Sequence, residues 1–310
     1  MAGARLADAL VARCTFPAPG TSVTCAVSGG ADSSALLVLA VTAGCDVTAV
    51  HVDHGLRPGS AAEAEVVRST AARFGAAFRA VRVDVAPGPG LEARARHARY
   101  AALPCDVLTG HTADDQAETV LLNLLRGSAT RGLAGMRPDT ARHGVRRPIL
   151  ALRRAETVAL CTSLAVDVVD DPSNADPTHT RNRIRAELLP RLCDVGGRDV
   201  VPILARQADL LREDDDLLSD LAASLDPTDA RALTAAPPPL ARRAVRRWLA
   251  AADPLARPVD SAAVQRVLEV AAGHSSACDV GEGRRVHRSR QQLTVSLDTG
   301  EVPHGSARSG

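Results

Sequence analysis

Short apolar runs alternate with longer amphipathic stretches through the first half of the chain. The short runs have the length of buried strands, whereas the longer stretches repeat their apolar positions with helical spacing. We therefore predict strands at 23–27, 46–52, 78–85, 106–109 and 145–150, and helices at 31–44, 60–75, 91–103 and 113–127. This alternation favours an α/β fold with a doubly wound, Rossmann-like parallel sheet that carries helices on both faces.

The pattern changes after about residue 196. Residues 200–252 are rich in Ala, Leu and Arg with helical spacing, and a short helix is expected near 259–272. Residues 276–296 alternate as short strands joined by glycine-containing turns. We therefore predict three parts: an α/β domain over 1–195, a helical connector over 196–252, and a small α+β C-terminal domain over 253–310.

The composition excludes several classes of enzyme. The 310 residues include no Lys, so all 37 residues of the Lys and Arg class are Arg, and the net charge is only +1. Schiff-base, pyridoxal-phosphate and Walker-type enzymes are excluded, because each needs a side-chain amine. The near-neutral charge argues against a general polyanion binder, but it permits local basic patches.

The seven cysteines are scattered and form no C-x-x-C pair. They favour neither a disulfide framework nor a sulfur-rich metal site, and we expect Cys25, Cys45 and Cys105 to be core residues. No apolar run approaches the roughly 18 residues of a membrane span, and residues 1–14 lack the apolar stretch of a secretory signal. We therefore expect a cytoplasmic protein without membrane contact.

A phosphate-binding loop is predicted between the first strand and the first helix. At this position, helix N-termini present unpaired N–H groups at the ligand-binding edge of a parallel sheet. Glycines let the backbone approach an anion, and an acidic side chain there suits Mg²⁺ or a helix cap. An ordinary capped turn is the alternative. The loop comprises Ser28, Gly29, Gly30, Ala31, Asp32, Ser33 and Ser34.

This loop resembles the PP-loop of the ATP-pyrophosphatase superfamily, whose members split ATP into AMP and pyrophosphate. Further segments, taken in order, resemble the bacterial tRNA(Ile)-lysidine synthetase family across roughly residues 20–192. These segments are HVDHGLR at 51–57, LEARARHARY at 91–100, GHTADDQAET at 110–119, RGS at 126–128, RPIL at 147–150, DPSN at 171–174 and RNRIR at 181–185.

The resemblance implies a ligase that uses ATP and Mg²⁺. Such an enzyme adenylates the wobble cytidine (C34) of tRNA(Ile) with a CAU anticodon, and free lysine then displaces AMP to give lysidine. It also implies that the 1–195 domain binds ATP and that the C-terminal domain contacts the tRNA. We expect the loop together with His51, Asp53 and His54 to bind the nucleotide, and Asp32 to hold Mg²⁺.

Asp115 and Glu118 are three residues apart, so both carboxylates lie on one face near the start of a predicted helix. Such a pair suits an ammonium group or a metal, and the resemblance implies that it binds the lysine substrate. The alternative is helix capping, because Thr112 with Asp115 resembles a capping box. His111 lies where the fourth strand ends and is a candidate for phosphate contact or proton transfer.

Arginine clusters at 126–154, 181–191 and 284–290 contain few acids and indicate RNA-backbone contacts, unless they only form a solvated surface. Arg181 and Arg185 are four residues apart and match the family's R-N-x-x-R, so we place both in the active site. Arg99 is a weaker substrate-binding candidate. We therefore predict Asp32, His111, Asp115, Glu118 and Arg185 as the catalytic residues.

Two other functions remain open from the sequence. One is another PP-loop tRNA-modifying enzyme, chiefly a tRNA thiolase, although those enzymes usually need catalytic or cluster-binding cysteines. The other is a nucleotide-binding or RNA-binding module without catalysis, against which the paired carboxylates and the order of the segments argue.

Overall fold

The computed structural model describes residues 2–53, 55, 60–84, 88, 91–140, 144–170, 176–253 and 257–297. The chain divides into two compact units, with the division between Arg212 and Glu213. This division lies inside the segment predicted as a helical connector, and the boundaries at 195/196 and 252/253 stay predictions.

The first unit contains a six-stranded sheet in the order β3-β2-β1-β4-β6-β5. All neighbouring pairs are parallel except β5 with β6. The predicted α/β fold with a mostly parallel sheet is confirmed. The strands are β1 (Ser22–Ala26), β2 (Asp46–Asp53), β3 (Ala77–Arg82), β4 (Val107–Thr109), β5 (Asp139–Thr140) and β6 (Val145–Arg146).

The strand predicted over 145–150 is wrong in its length, because only Val145 and Arg146 pair with β4. The chain turns immediately afterwards, and the N–H groups of Leu150 and Leu152 donate to the carbonyls of Arg147 and Ile149. Local turn bonds therefore replace the ladder, and the apolar run is buried without being extended.

The helices of the first unit cover the sheet. Helix α2 is apolar on almost every side, with Ala35–Ala40 all buried, because it packs against the sheet and against α1 and α7. The helices are α1 (Ala2–Val11), α2 (Ala31–Thr42), α3 (Ser60–Arg73), α4 (Leu91–Ala101), α5 (Ala113–Leu125), α6 (Thr130–Leu133), α7 (Arg154–Ser163), α8 (Thr180–Arg183) and α9 (Leu189–Gly196), with a π-helical segment (Ile184–Leu188) between the last two.

The sequence patterns missed two helices that complete this core. Helix α1 buries Ala7 and Leu10, and helix α7 buries Leu160 and Cys161. Cys25 and Cys45 are core residues as predicted, but the same expectation for Cys105 is wrong because its side chain is exposed. Cys105 precedes β4 in a turn, so its closeness to a strand does not bury it.

Helix α10 (Val201–Ala223) crosses the division between the units. The second unit has its own core, in which α11, α12 and α13 pack on an antiparallel sheet in the order β7-β8-β9. Its further elements are α11 (Ala230–Ala235), α12 (Pro238–Ala251), α13 (Ser261–Ala272), β7 (Ala277–Gly281), β8 (Arg284–Ser289) and β9 (Gln292–Leu297). None of the helices in the described ranges is long and apolar enough to cross a membrane.

Candidate active site

The loop at 28–34 joins the carboxyl end of β1 to α2, as predicted. Gly29 has a positive φ of 93°, and a Cβ there would lie 2.8 Å from Cγ2 of Val169. Both the backbone conformation and the close approach therefore require glycine. Gly30 is extended and immediately precedes the helix, so the turn presents the first amides of α2 at the sheet edge.

Serine hydroxyls fix this loop from within. The Oγ of Ser33 donates to the carbonyl of Gly30 at 2.9 Å and accepts from the N–H of Ser28 at 3.2 Å. The Oγ of Ser34 donates to the carbonyl of Gly29 at 3.3 Å. The carbonyl oxygens are thus engaged inside the turn, and the helix N-terminus is suited to an anion.

Gly110 brings the fourth strand against this loop. A Cβ at Gly110 would lie 2.8 Å from the carbonyl oxygen of Asp32, so no larger residue fits without displacing the loop. The next residue, His111, has its Nδ1 2.8 Å from the Oγ1 of Thr109. The ends of the neighbouring strands β1 and β4 therefore meet here, and the predicted nucleotide and carboxylate segments are adjacent.

The carboxylate of Asp115 caps its own helix. Its Oδ2 accepts from the N–H of Thr112 at 2.9 Å and from the Oγ1 of Thr112 at 3.0 Å. The capping interpretation is therefore correct for this oxygen. The other oxygen, Oδ1, lies 3.3 Å from Nη2 of Arg181 and 3.7 Å from Nη2 of Arg185, so it faces two guanidinium groups.

Glu118 is fully buried and is held by the same two arginines. Nε of Arg181 donates to Oε2 at 2.7 Å, and Nε of Arg185 donates to Oε1 at 2.5 Å. Both carboxylate oxygens thus accept a charge-assisted hydrogen bond. Arg181 lies in α8 and Arg185 in the π-helical segment, and they share one face as the four-residue spacing predicts. The arrangement joins a carboxylate pair to an arginine pair.

The electrostatics keep Asp115 and Arg185 charged. Burial acts to raise the pKa of Asp115, but His111, Arg181, the Thr112 amide and Arg185 together hold that pKa below its usual range. For Arg185, burial acts to lower the pKa, whereas the hydrogen bond to Glu118 and the charges of Asp115 and Asp32 raise it. The guanidinium group of Arg185 therefore interacts electrostatically with the carboxylate pair and with Asp32 of the phosphate loop.

Asp32 is held by two residues that the sequence patterns did not identify. Thr157 Oγ1 donates to Oδ1 at 2.5 Å, and Nη1 of Arg154 lies 3.2 Å from Oδ2. Both residues belong to α7, more than 120 positions along the chain. The only local signal is the start of that helix, where the carboxylate of Glu156 accepts from the N–H of Arg153 at 2.8 Å, and this start does not indicate a partner.

The remaining candidates for nucleotide and substrate binding lie outside the loop and the carboxylate–arginine cluster. His51 is buried, with Nδ1 3.0 Å from the carbonyl oxygen of Val27. Asp53 ends β2 and accepts from the N–H of Gly55 at 2.8 Å. Arg99 lies half-buried in the last turn of α4. His54 and the segment 171–174 lie outside the described residues, and the roles assigned to these positions stay predictions.

The arginine clusters contain both surface and structural side chains. Arg126, Arg131 and Arg137 are exposed. By contrast, Arg153 joins Asp114 to Asp199 by ion pairs. Arg284 is buried, lies near Asp253 and donates to the carbonyl of Leu249. The interpretation as solvated or RNA-facing side chains is therefore wrong for Arg153 and Arg284. Arg142 lies outside the described residues.

A parallel sheet with a glycine- and serine-built loop at the switch between β1 and β4 defines the PP-loop class of ATP-binding domains. A family model described as a PP-loop domain matches residues 5–192, and one described as a TilS substrate binding domain matches residues 229–294. The first match spans more than half of the chain. Within this class, the chain belongs to the tRNA(Ile)-lysidine synthase family.

Curated relatives extend the likeness over most of the chain. A tRNA(Ile)-lysidine synthase from Nocardia farcinica is 47% identical over 76% of this chain and 77% of that protein. The tRNA(Ile)-lysidine synthase from Rhodococcus opacus is 41% identical over 91% of each chain. Family membership therefore does not depend on the phosphate loop alone.

Among solved structures, the U34-tRNA thiolase NcsA from Methanococcus maripaludis has a TM-score of 0.53, covering 67% of this chain and 78% of that chain. Its identity to this chain is only 17%, so the likeness supports the fold alone. In the described ranges of this chain, no three His, Cys, Asp or Glu side chains group as a metal site.

Proposed function

We propose that this chain ligates free lysine to C2 of the wobble cytidine C34 in tRNA(Ile) with a CAU anticodon. ATP first adenylates the cytidine, and lysine then displaces AMP to give lysidine, with AMP and pyrophosphate as the other products. The proposal rests chiefly on one observation, which is the carboxylate–arginine cluster lying beside the phosphate loop. The required substrates, ATP and tRNA, favour a cytoplasmic enzyme.

The phosphate loop supplies the nucleotide-binding half of this site. Because the chain has no Lys, phosphate oxygens would be met by the first amides of α2, by the serine hydroxyls and by guanidinium groups. His51 and Asp53 end the neighbouring strand β2, and we keep them, with His54, as nucleotide-side candidates. We expect Arg185 to face the negative charge that develops on the phosphate. Glu118 fixes the Nε of Arg185, and the guanidinium group of Arg185 interacts with the charge of Asp32 in the loop.

The site fits Mg²⁺ that is bound mainly by ATP. Asp32 is the carboxylate within the loop, and its Oδ2 lies 3.2 Å from Nη1 of Arg154 in an ion pair. Mg²⁺ typically takes one or two carboxylates and completes its shell with phosphate oxygens and water. When bound, the ion would neutralise phosphate charge during adenylation, and Asp32 would be its protein ligand.

The carboxylate pair serves the lysine half of the reaction. Positions matching Asp115 and Glu118 bind lysine in the family, and we propose the same here with divided roles. Glu118 supplies charge and fixes the two arginines, whereas Oδ1 of Asp115 has only longer contacts and faces the amine. Lysine has an ordinary pKa of about 10.4 and must lose a proton before it attacks. A carboxylate that stays ionised therefore positions the amine and becomes a proton acceptor once attack begins.

The test is a reconstituted reaction with the purified chain, ATP, Mg²⁺, lysine and a tRNA(Ile) transcript that carries CAU. We expect lysine to be incorporated with stoichiometric release of AMP, and a matched transcript with U34 to remain unmodified. ATP–pyrophosphate exchange measured with and without lysine separates the two half-reactions. Absence of lysine incorporation would overturn the proposal, and exchange without incorporation would favour another PP-loop tRNA-modifying activity.

A further inference from the structure

The side chain of Asp32 is only 15% exposed, and both of its side-chain partners in the described residues belong to α7. Its two oxygens are contacted by Thr157 and Arg154, which lie one helical turn apart at the start of α7. Thr157 is fully buried, and its hydroxyl also lies 2.8 Å from the carbonyl oxygen of Arg154. The single hydroxyl proton of Thr157 is shared between the Asp32 carboxylate and this carbonyl, and the buried position of Thr157 restricts the rotamer of Asp32.

Helix α7 is itself fixed to the helix that carries the carboxylate pair. The backbone N–H of Arg154 donates to Oδ2 of Asp114 at 2.7 Å, and Nε of Arg153 donates to the same oxygen at 3.1 Å. Asp114 directly precedes Asp115 on α5. The start of α7 thus joins the phosphate loop on one side to the carboxylate helix on the other.

The two contacts on Asp32 differ in kind. Thr157 is buried and makes a short hydrogen bond to Oδ1, whereas the side chain of Arg154 is 39% exposed and makes a longer ion pair with Oδ2. A cation that approaches Asp32 from the loop would meet Oδ2, because Oδ1 is held by a buried donor. The pKa of Asp32 is raised, chiefly because its side chain is buried, although the hydrogen bond from Thr157 and the charge of Arg154 oppose that effect.

We propose that Thr157 and Arg154 are positioning residues that hold Asp32 in the orientation in which it receives Mg²⁺ with ATP. Thr157 fixes Oδ1 permanently, and Arg154 balances the charge of Oδ2 until the metal ion takes that oxygen. This inference rests on the proposed role of Asp32 in holding Mg²⁺. Neither residue is required to touch the reacting atoms.

The experiment compares equilibrium binding of ATP with and without Mg²⁺ for the full chain, and it needs neither tRNA nor lysine. Thr157→Val removes the hydroxyl at nearly constant volume. We expect the Kd for ATP with Mg²⁺ to rise about tenfold, equivalent to one charge-assisted hydrogen bond, and the Kd without Mg²⁺ to change less than twofold. Thr157→Ser should restore the wild-type value. Thr162→Val is the matched control, because among the residues that the structure describes Thr162 Oγ1 bonds only to the carbonyl of Val158.

The outcomes separate the two proposals. Wild-type protein that binds ATP equally with and without Mg²⁺ would overturn the magnesium role of Asp32 and this inference with it. A Mg²⁺-dependent wild type with an unaltered Thr157→Val variant would overturn the positioning role alone, as would an equal loss of affinity in both conditions. If Thr157→Val fails to fold, Thr157→Ala, which removes the same hydroxyl without adding an atom, decides by the same criterion, with the same expected rise of about tenfold.

Discussion

The phosphate loop and the carboxylate–arginine cluster are adjacent, but they are built in opposite ways. The turn of the loop is built from backbone groups and small hydroxyls, and the bonds that its serine hydroxyls make span five positions or fewer. The cluster consists of charged side chains, and its ion pairs join residues 63 and 67 positions apart. Local geometry therefore shapes the anion site, whereas tertiary structure assembles the cation site.

This difference has an energetic consequence. Removing one hydroxyl from the loop removes one neutral hydrogen bond, but removing one charge from the cluster leaves its charged partners uncompensated. Glu118 is fully buried, whereas Arg181 and Arg185 are about one-third exposed. We therefore expect the cluster to respond to substitution through both stability and activity, and the loop mainly through nucleotide affinity.

Glu118→Gln is expected to have the largest effect. It removes the charge that accepts from both arginines, and breaking such a buried pair costs about 3 kcal/mol in the free energy of unfolding. Lysidine formation should fall about a hundredfold, because both arginines lose the charge that fixes them in the site, and losing one preorganised electrostatic group costs about that factor. Urea unfolding and the reconstituted reaction measure the two effects.

The matched control is Glu187→Gln in the π-helical segment that carries Arg185. Glu187 also pairs with an arginine, Arg183, but both side chains are more than half exposed. We expect neither the unfolding midpoint nor the activity to change. If Glu187→Gln lowered stability and activity as much as Glu118→Gln, burial would not explain why the cluster is sensitive to substitution.

Asp115→Asn separates capping from lysine binding. The amide can still accept at Oδ1, so the cap is partly retained, but the negative charge that faces the amine is lost. We expect the KM for lysine to rise between about tenfold and a hundredfold, the value of a hydrogen bond to a charged group, with the KM for ATP changed less than twofold. Equal rises in both KM values would instead assign Asp115 a purely structural role.

Gly29→Ala tests the loop. The left-handed backbone costs a non-glycine residue about 1–2 kcal/mol, and the new Cβ would also meet Val169. Gly20→Ala is the control, because Gly20 has a similar φ of 80° but no atom within 4 Å of an added Cβ. Both variants should lose stability, but only Gly29→Ala should raise the Kd for ATP, by about tenfold. A similar rise for both would contradict a specific role of the loop.

The same contrast explains what the sequence could predict. The loop, its position after β1 and the shared face of Asp115 and Glu118 follow from spacings of a few residues. The partners of Asp32 could not be predicted, because 125 positions separate it from Thr157 and no local pattern marks that hydroxyl. The arginine count likewise could not separate the buried Arg284 from exposed side chains, since burial depends on how the strands pack.

The smallest effect is expected from the cysteines, which distinguish a lysidine synthase from a thiolase. Burial raises the pKa of Cys14 and of Cys161 to about 11, so neither is a ready nucleophile at neutral pH. Cys105 is exposed, and we expect its replacement by Ser to leave the rate of lysidine formation unchanged. We predict that Cys105→Ser, Cys14→Ala and Cys193→Ala, singly or together, change lysidine formation less than twofold. A loss of turnover in a variant that still unfolds at the wild-type midpoint would mean that a thiol takes part in the chemistry, contrary to a site in which substrate lysine is the nucleophile.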